Sequence, residues 1–340
     1  MNETSPCTVF DVAERAGVSI TTVSRVLTNH HSISPETVVQ VWKAIEQTGY
    51  NPLANSLRKG NRSRQKVVSK IRHRQIGLVS QMNPSLFHAP VYAKLIRGIS
   101  RALDEINFNL VIRNLPEKNA HKFLPKMIDG AIVFKIDHLT DPLIRRFRSI
   151  PSVRIMGMPE RYPLLDQYTY DDVKVGQLAS DYFLSKGHRS LVCIGPSQFD
   201  RINFFVNKVN EVGAVVNSFS SEHLIKEEQE AQIINSHAFD ILLNNILSLP
   251  QKVTGIFCYA DIVMLGMINA MARMGLQPGR DMDILGVNND EILIHNLIPR
   301  PSSIDIHAAD IGYNAVKRLI WRMQNPKELL EIISVMPHIV

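Results

Sequence analysis

Short apolar segments alternate with amphipathic segments from Gln75 almost to the end of the chain. The apolar segments predict strands at 75–80, 108–113, 130–134, 152–156, 190–195, 253–258 and 283–287. The segments between and after them predict helices at 91–106, 141–149, 172–186, 201–211, 236–248, 261–274 and 309–324. This alternation is typical of parallel sheets with helices on both faces, and its length suffices for two such units. We therefore predict an α/β body of two Rossmann-like parallel-sheet subdomains, in which a ligand would bind between the lobes at the carboxyl ends of the strands.

The excess of basic charge lies entirely in the first fifth of the chain. Residues 1–74 contain 11 Lys and Arg against 5 Asp and Glu, whereas residues 75–340 contain 27 of each. A basic segment attached to a neutral body predicts that the basic segment meets a polyanion. We divide the chain into a head of residues 1–50, a basic linker of residues 51–74 and a body of residues 75–340.

The composition favours a cytoplasmic protein that does not associate with membranes. No apolar run approaches the ~18 residues of a membrane span. The polar residues 1–8 lack the apolar core of a secretory signal, so we expect no such signal. Three scattered cysteines form neither a disulfide framework nor a metal-binding spacing.

Three short helices are predicted in the head. Thr8 and Asp11 fit a capping box before the first helix, and Ser19 can cap a second helix that ends near Leu27. Ser34 followed by a proline opens the third helix. The first two helices are joined through A-G-V-S, which is typical of a helix-turn-helix, so the second helix would lie in the major groove of DNA.

The second helix carries its polar side chains on the face turned away from the predicted core. The outward residues are Ile20, Thr21, Ser24 and Arg25. An exposed arginine there can bond O6 and N7 of guanine, worth ~1–3 kcal/mol of base discrimination. Hydroxyl groups at a helix start suit phosphates. The alternative is a small helical bundle with a solvated arginine, and A-G-V-S alone does not decide between the two.

Residues 8–50 closely resemble the DNA-binding head of lactose-repressor-type (LacI family) transcription regulators. The resemblance rests on D-V-A-x-x-A-G-V-S-x-x-T-V-S-R-V-L at residues 11–27, with Thr28 where the family usually has Asn. It implies that base edges are contacted by Ile20, Thr21 and Arg25. It also implies phosphate contacts by Thr8, Ser19, Thr22, Ser24 and Ser34.

The linker begins with PLANSLRKG, which is similar to the hinge helix with which the family enters the minor groove. This similarity implies that Leu57 wedges between base steps, with Ala54 and Ser56 beside it. The hinge is two residues shorter than the usual pattern. Residues 58–74 then carry eight basic side chains and no acid. The tract is either a solvated linker or a source of extra phosphate contacts, which would steepen the salt dependence of binding.

The body resembles the effector domain of the same family, which is similar to periplasmic sugar-binding proteins. The matching stretches are PVYAKLIRGISRAL, MIDGAIVF, SKGHRSLVCIG, IFCYADIVMLGMINAMARMGL and DILGVNND. The resemblance implies a small-molecule effector between the lobes. Its implied contacts are Phe87, Asp171, Arg201, Asp261 and Asn288.

Two departures from the family pattern affect this effector site. Ala260 replaces the Asn of the usual Asn-Asp pair, and Asn288 with Asn289 replaces a usual Asp pair. An amide both donates and accepts hydrogen bonds, whereas a carboxylate only accepts, so sugar binding in the usual mode is disfavoured. The ligand is then a sugar, a phosphosugar or another anion held by Arg201, or the site has lost its ligand.

Residues of catalytic or metal chemistry do not form a recognisable motif. The sequence contains no phosphate-binding G-x-x-x-x-G-K-[ST], no H-E-x-x-H and no G-x-S-x-G. We therefore expect no catalytic residue, no cofactor and no metal site. Cys193 and Cys258 lie in apolar strands and are predicted core residues. The methionines at helical spacing are predicted to line the core or a subunit interface: Met264, Met267, Met271 and Met274.

The sequence thus predicts a sequence-specific transcription regulator, expected to be a repressor, whose operator affinity is set by the effector. A homodimer on a pseudo-palindromic operator follows from matching two-fold symmetries. The chain ends at Val340 without a heptad tail, which favours a dimer over a tetramer. Activation is not excluded, because operator position decides it. The alternatives are a non-specific, nucleoid-like DNA-binding protein without effector and, least favoured, an enzyme with a DNA-binding head.

Overall fold

The structure is a computed structural model, and it describes residues 8–27, 33–48, 50, 71–82, 89–116, 118–136, 141–157, 164–228 and 231–340. The predicted hinge residues Ala54, Ser56 and Leu57 lie outside this part of the chain. So do Thr28 and the predicted effector residue Phe87.

The helices are α1 (Val9–Ala16), α2 (Ile20–Leu27), α3 (Pro35–Thr48), α4 (Pro90–Asp104), α5 (Asp141–Ser149), α6 (Asp172–Ser185), α7 (Asp200–Glu211), α8 (Ser236–Leu247), α9 (Asp261–Arg273), α10 (Glu291–Ile294) and α11 (Ala308–Gln324), with a 3-10 turn at Ala120–Lys122. The strands are β1 (Gln75–Ser80), β2 (Asn109–Asn114), β3 (Gly130–Phe134), β4 (Ser152–Ile155), β5 (Asp166–Tyr170), β6 (Ser190–Ile194), β7 (Val215–Phe219), β8 (Ile225–Glu228), β9 (Ala231–Ile234), β10 (Gly255–Cys258), β11 (Asp283–Val287), β12 (Ser302–Asp305), β13 (Ile332–Val335) and β14 (His338–Ile339).

The head is a three-helix unit whose helices begin at the predicted caps. The Thr8 hydroxyl donates to the Asp11 carboxylate over 2.8 Å, and the Thr8 N–H donates to the same oxygen over 2.6 Å. The Ser19 hydroxyl accepts the N–H of Thr22 over 3.0 Å. These bonds satisfy N–H groups that a helix start otherwise leaves unpaired. The helices enclose a small apolar core of Val12, Ala13, Val23, Val26, Val41, Ala44, Ile45 and Tyr50.

The first lobe is a six-stranded parallel sheet in the order β13-β5-β4-β3-β1-β2. Side chains alternate between its two faces, as in any strand. Leu78 and Ile132 point to the face that α4 and α11 cover. Val79 and Val133 point to the face covered by the 3-10 turn and α5. The sheet is therefore buried on both sides.

The second lobe is a six-stranded sheet in the order β14-β12-β11-β10-β6-β7, parallel except for β14. Helices α6 and α7 pack on one face and α8 and α9 on the other. The predicted core residues Cys193 and Cys258 are fully buried, and burial raises the pKa of both thiols. Met264, Met267 and Met271 are fully buried and Met274 packs against them, which confirms the core interpretation.

The chain passes between the lobes three times. It crosses from β5 to α6 at Asp171, from β12 to α11 near His307, and from β13 to β14 near Pro337. The rings of His307 and His338 stack with centroids 4.8 Å apart, which brings the second and third crossings together. A single cluster of buried apolar side chains runs through both lobes.

The seven predicted strands and seven predicted body helices are all present, with ends within two residues of the prediction. The prediction was wrong in omitting seven strands, β5, β7, β8, β9, β12, β13 and β14, and the short helix α10. Strand β5 was missed because its sequence, DQYTY, is polar although its backbone is enclosed. The buried Asp166 accepts bonds from Arg322 over 2.6 Å and from Arg318 over 3.0 Å.

Helices α4 and α11 approach so closely that a glycine on each helix, Gly98 and Gly312, lies against the backbone of the other. A Cβ on Gly98 would overlap the carbonyl oxygen of Ala309. We expect Gly98→Ala to lower the free energy of unfolding by about 1–3 kcal/mol or more, because overpacking forces the two helices apart. Urea denaturation measures the change. Ser100→Ala on the same helix is the control and should change stability by less than about 0.5 kcal/mol; equal effects in the two variants would contradict the close approach.

Candidate DNA-binding and effector sites

One face of α2 is exposed, and it carries the predicted base-contacting residues. Thr21 and Arg25 are exposed, and Ile20 is 39% exposed although it is a large apolar side chain. The opposite face of the helix is anchored by the fully buried Val23 and by Val26. The short helix is therefore held by its core contacts while three adjacent side chains face outward.

The predicted phosphate-contacting hydroxyls cluster at helix starts. Ser19 and Thr22 join through their hydroxyl oxygens over 2.9 Å at the start of α2. Ser34 bonds Thr37 over 3.1 Å at the start of α3. Thr8 lies in the capping box of α1, and Ser24 is exposed on α2. Helix starts combine unpaired N–H groups with the positive end of the helix dipole, so they favour phosphate.

Arg201 is buried at the boundary of the lobes rather than open to the cleft. Its side chain is 4% exposed. Its Nε donates to the Asp172 carboxylate over 2.5 Å, and its backbone N–H donates to the other oxygen over 3.0 Å. One terminal nitrogen donates to the Tyr259 carbonyl over 3.0 Å, and the other donates to the Tyr170 hydroxyl. Arg201 thus ties strand β5 of the first lobe to the second lobe.

The neighbouring Asp171 lies at the start of α6, where it caps the helix. Its carboxylate accepts the N–H of Lys174 over 2.8 Å. It remains half-buried at the first crossing between the lobes, where the expected effector site lies.

Lys94 also links the lobes. From α4 its ammonium donates to the backbone carbonyls of Asn288 over 3.1 Å and Asn289 over 2.9 Å, in the loop after β11. Both asparagines have positive φ values, 106° and 50°. Asparagine tolerates this region better than most residues, which explains how the loop can turn both carbonyls toward one cation.

Asp261, a predicted effector contact, is fully buried. Its two oxygens accept the N–H of Asp290 over 2.6 Å and the Ser303 hydroxyl over 2.7 Å. Burial and the nearby Asp290 raise the pKa of Asp261 to about 8. Burial also raises the pKa of Asp290 to about 7. Asp261 therefore positions the loop that carries Asn288.

Aromatic rings and cations gather at the carboxyl ends of the strands. The Phe199 and Tyr259 rings have centroids 5.9 Å apart, and the Arg201 guanidinium lies 5.5 Å from the Phe199 centroid. On the first lobe, the Lys135 ammonium lies 5.9 Å from the Tyr92 centroid. Such a surface suits a ligand with both apolar and anionic parts.

Sequence reasoning missed Asp172, Lys94 and Asp290 as residues of this region. Asp172 follows the expected Asp171 directly, and both carboxylates lie where a strand gives way to a helix. Lys94 and Asp290 carry no sequence signal, because their partners lie in the other lobe or on a distant strand.

Known proteins match both parts of the chain. The model of bacterial regulatory proteins of the lacI family matches residues 8–53, and that of the periplasmic binding protein-like domain matches residues 180–340. The HTH-type transcriptional repressor PurR of Erwinia tasmaniensis is 27% identical over 351 residues, covering 98% of this chain and 95% of that protein. PurR of Escherichia coli strain E24377A is 26% identical over 357 residues, with the same coverage of both chains.

One chain thus joins a segment that matches the lacI family of bacterial regulatory proteins to a periplasmic binding protein-like domain.

Solved structures agree with the fold of this chain. A transcriptional regulator CelR–cellobiose complex superposes with a TM-score of 0.67 at 21% identity, covering 98% of both chains. The lac repressor dimer bound to operator and the anti-inducer ONPF superposes with a TM-score of 0.63 at 18% identity, covering 99% of this chain and 98% of that one.

The residues that the structure describes lack two features. They contain no helix long and apolar enough to span a membrane. They also contain no group of three or more His, Cys, Asp or Glu side chains that could hold a metal ion.

The buried acids predict how the stability of the protein depends on pH. A carboxyl group whose pKa is raised by folding binds its proton more tightly in the folded state. Its stabilising contribution is complete below the unfolded pKa near 4 and is lost as the pH rises through the folded pKa, about 8 for Asp261. We expect the free energy of unfolding, measured by urea denaturation between pH 5 and 8, to fall less steeply in Asp261→Asn than in wild type.

The matched control is Asp281→Asn, which removes an exposed carboxyl whose pKa is lowered by Arg280. The pH dependence that this substitution removes lies below pH 4. The fall in the free energy of unfolding between pH 5 and 8 should therefore be the same in Asp281→Asn as in wild type. If the free energy of unfolding of Asp261→Asn fell as steeply over this range as that of wild type, the result would contradict the interpretation that Asp261 is a neutral buried acid.

Proposed function

We propose that the protein is a transcription regulator that recognises a specific duplex sequence through α2 and represses from it. The single observation that carries this proposal is the exposed face of α2, where Ile20, Thr21 and Arg25 stand above a buried Val23 and Val26. This arrangement fits a helix in the major groove with three side chains at base edges. The similarity to PurR repressors supports repression rather than activation.

The hydroxyl groups around this face would fix the head on the DNA backbone. Thr8, Ser19, Thr22, Ser24 and Ser34 are the proposed phosphate contacts. Phosphate contacts position a protein but carry no sequence information, so these residues should influence affinity rather than specificity. The proposed minor-groove contacts remain Ala54 and Leu57 of the hinge sequence.

A small-molecule effector bound between the lobes would set the affinity for DNA. The bonds of Lys94 and Arg201 across the lobe boundary support this, because a ligand there competes with or reinforces specific contacts. Asp171, Arg201 and Asn288 are the proposed contacts together with Phe87, and Asp261 acts by positioning the Asn288 loop. A sugar, a phosphosugar or another anion fits this surface. Such coupling between two sites is typically worth ~1–3 kcal/mol.

The protein would act as a homodimer in the cytoplasm and would have no catalytic role. The lac repressor to which this chain is similar was solved as a dimer bound to operator, which supports two-fold binding to a pseudo-palindrome. Two heads joined to paired bodies would contact half-sites one helical turn or a multiple apart.

The proposal is tested by selecting duplexes from a random library and measuring binding of the winner and of scrambled DNA by fluorescence anisotropy at fixed salt. We expect the wild type to prefer the winner at least about a hundredfold, and specific binding generally exceeds non-specific binding by ~10³–10⁷. In Arg25→Ala the affinity for the winner should fall by ~1–3 kcal/mol per half-site, and the preference should shrink accordingly.

The control is Lys43→Ala, which removes an exposed charge from α3 of the same head. It should weaken both duplexes alike. Equal affinity of the wild type for winner and scrambled DNA would overturn the proposal in favour of non-specific binding.

A further inference from the structure

The first lobe has an exposed basic surface where its central strands begin. We call it the amino-edge patch, and it consists of Arg72, Arg74, Lys126, Arg146 and Arg148. All five residues are exposed. None of the contacts described for the effector site or for α2 involves them.

The backbone brings these five residues to one edge of the sheet. The N–H of Asp129 donates to the Gln75 carbonyl over 2.8 Å, and the N–H of Ala131 donates to the Pro151 carbonyl over 2.9 Å. The starts of β1, β3 and β4 therefore lie side by side. Neighbouring strands are about 4.8 Å apart, so these three starts span about 10 Å.

Each of the three strand starts contributes basic side chains. Arg74 immediately precedes β1, and Lys126 precedes β3 by four residues. Arg146 and Arg148 occupy the last turn of α5, which leads through two residues into β4. The charges thus come from three separate segments of the chain and meet because of the fold.

Among the described residues, Asp129 is an acid that lies at the centre of this edge. The carboxylate of Asp129 is 8% exposed and is used internally, since it accepts the backbone N–H groups of Arg72 over 2.7 Å and His73 over 3.1 Å. Other acids lie at the two ends of the sheet. Glu105 accepts a bond from Tyr313 before β2, and Glu331 pairs with Arg318 over 2.8 Å before β13.

The patch is continuous with the basic linker. Residues 58–74 carry eight basic side chains, and their last part is fixed to this edge by the bonds to Asp129. The linker leads directly from the patch to the DNA-binding head. The edge is therefore the part of the body that the chain itself tethers nearest to DNA.

We propose that the amino-edge patch is a second DNA contact, which binds the phosphate backbone of the duplex flanking the site recognised by α2. This proposal rests on the proposed function of the head. The partner it fits is duplex DNA regardless of sequence, because exposed lysine and arginine side chains pair with phosphates, and phosphate contacts carry no sequence information. Charge complementarity and continuity with the linker favour DNA over an acidic protein.

The test compares two duplexes that carry the same library-selected site. One covers the two half-sites alone, roughly 20 base pairs, and the other adds about two helical turns of random sequence on each side. Binding by the full chain is measured by anisotropy over a series of salt concentrations. The variant is Lys126→Gln with Arg146→Gln, and the matched control is Arg189→Gln with Lys252→Gln, an exposed arginine and an exposed lysine of the second lobe.

The slope of log affinity against log salt counts the phosphates contacted, at about 0.9 per contact on duplex DNA. We expect the patch variant to lose about two units of slope per protomer on the long duplex and none on the short one. The control should match wild type on both. The charge-conserving variant Lys126→Arg with Arg146→Lys should restore the slope, which separates lost contacts from lost folding.

An unchanged slope for the patch variant on the long duplex would overturn the proposal, and would be the result for a patch that serves an acidic protein. Equal losses on the two duplexes would also overturn it, because the contact would then lie within the recognised site. Failure of this proposal can be distinguished from failure of the proposed function. The proposed function is tested by the preference of the wild type for selected over scrambled duplexes of equal length. If the library yields no winner, the same slopes are measured on random duplexes of the two lengths.

Discussion

The three passages of the chain between the lobes constrain the structure of the body most strongly. Because β5, β12 and β13 each lead out of one lobe and into the other, neither sheet can be completed without the other lobe's segments. The carboxyl ends of the strands then face the boundary, where Arg201 and Lys94 join the lobes through charge-assisted bonds. Buried arginine and aspartate must pair in this way, since an isolated buried charge is costly. The boundary is thus both the structural centre of the body and the place where a ligand would act.

Charge divides the remaining surfaces by role. The body has no net excess of charge, and three of its exposed basic side chains, Lys126, Arg146 and Arg148, lie where the first lobe meets the linker. The head carries few charges, and its proposed DNA contacts are the three outward side chains of α2 and hydroxyl groups at helix starts. Backbone contacts of that kind supply affinity, whereas base contacts supply discrimination. In such a regulator, the affinity for DNA and the sequence specificity come from different side chains.

Patterns local in sequence predicted most of the fold. Helix caps such as Thr8–Asp11 and Ser19, and the apolar runs of β1, β3 and β10, depend on neighbours within a few residues. Strand β5 could not be predicted in this way, because its polar side chains are buried only through arginines from α11. The outward face of α2 also follows from local periodicity.

The effector region was less predictable for the same physical reason. The burial of Arg201 and Asp261 depends on partners far along the chain, Tyr259 and Ser303, whose proximity only the folded lobes create. A matching residue type at a matching position therefore indicated where the site lies, but not which side chains face it.

Recognition of the DNA sequence by the exposed face of α2 is the proposal on which the regulator function depends. The most direct measurement selects half-sites from a random duplex library with Thr21→Asn beside wild type. Asparagine bonds adenine through N6 and N7, so the variant's winning half-site should gain an adenine at one position and keep the others unchanged. An identical winning sequence for the two proteins would contradict the claim that Thr21 lies at a base edge. Loss of all sequence preference in both would contradict recognition by α2 altogether.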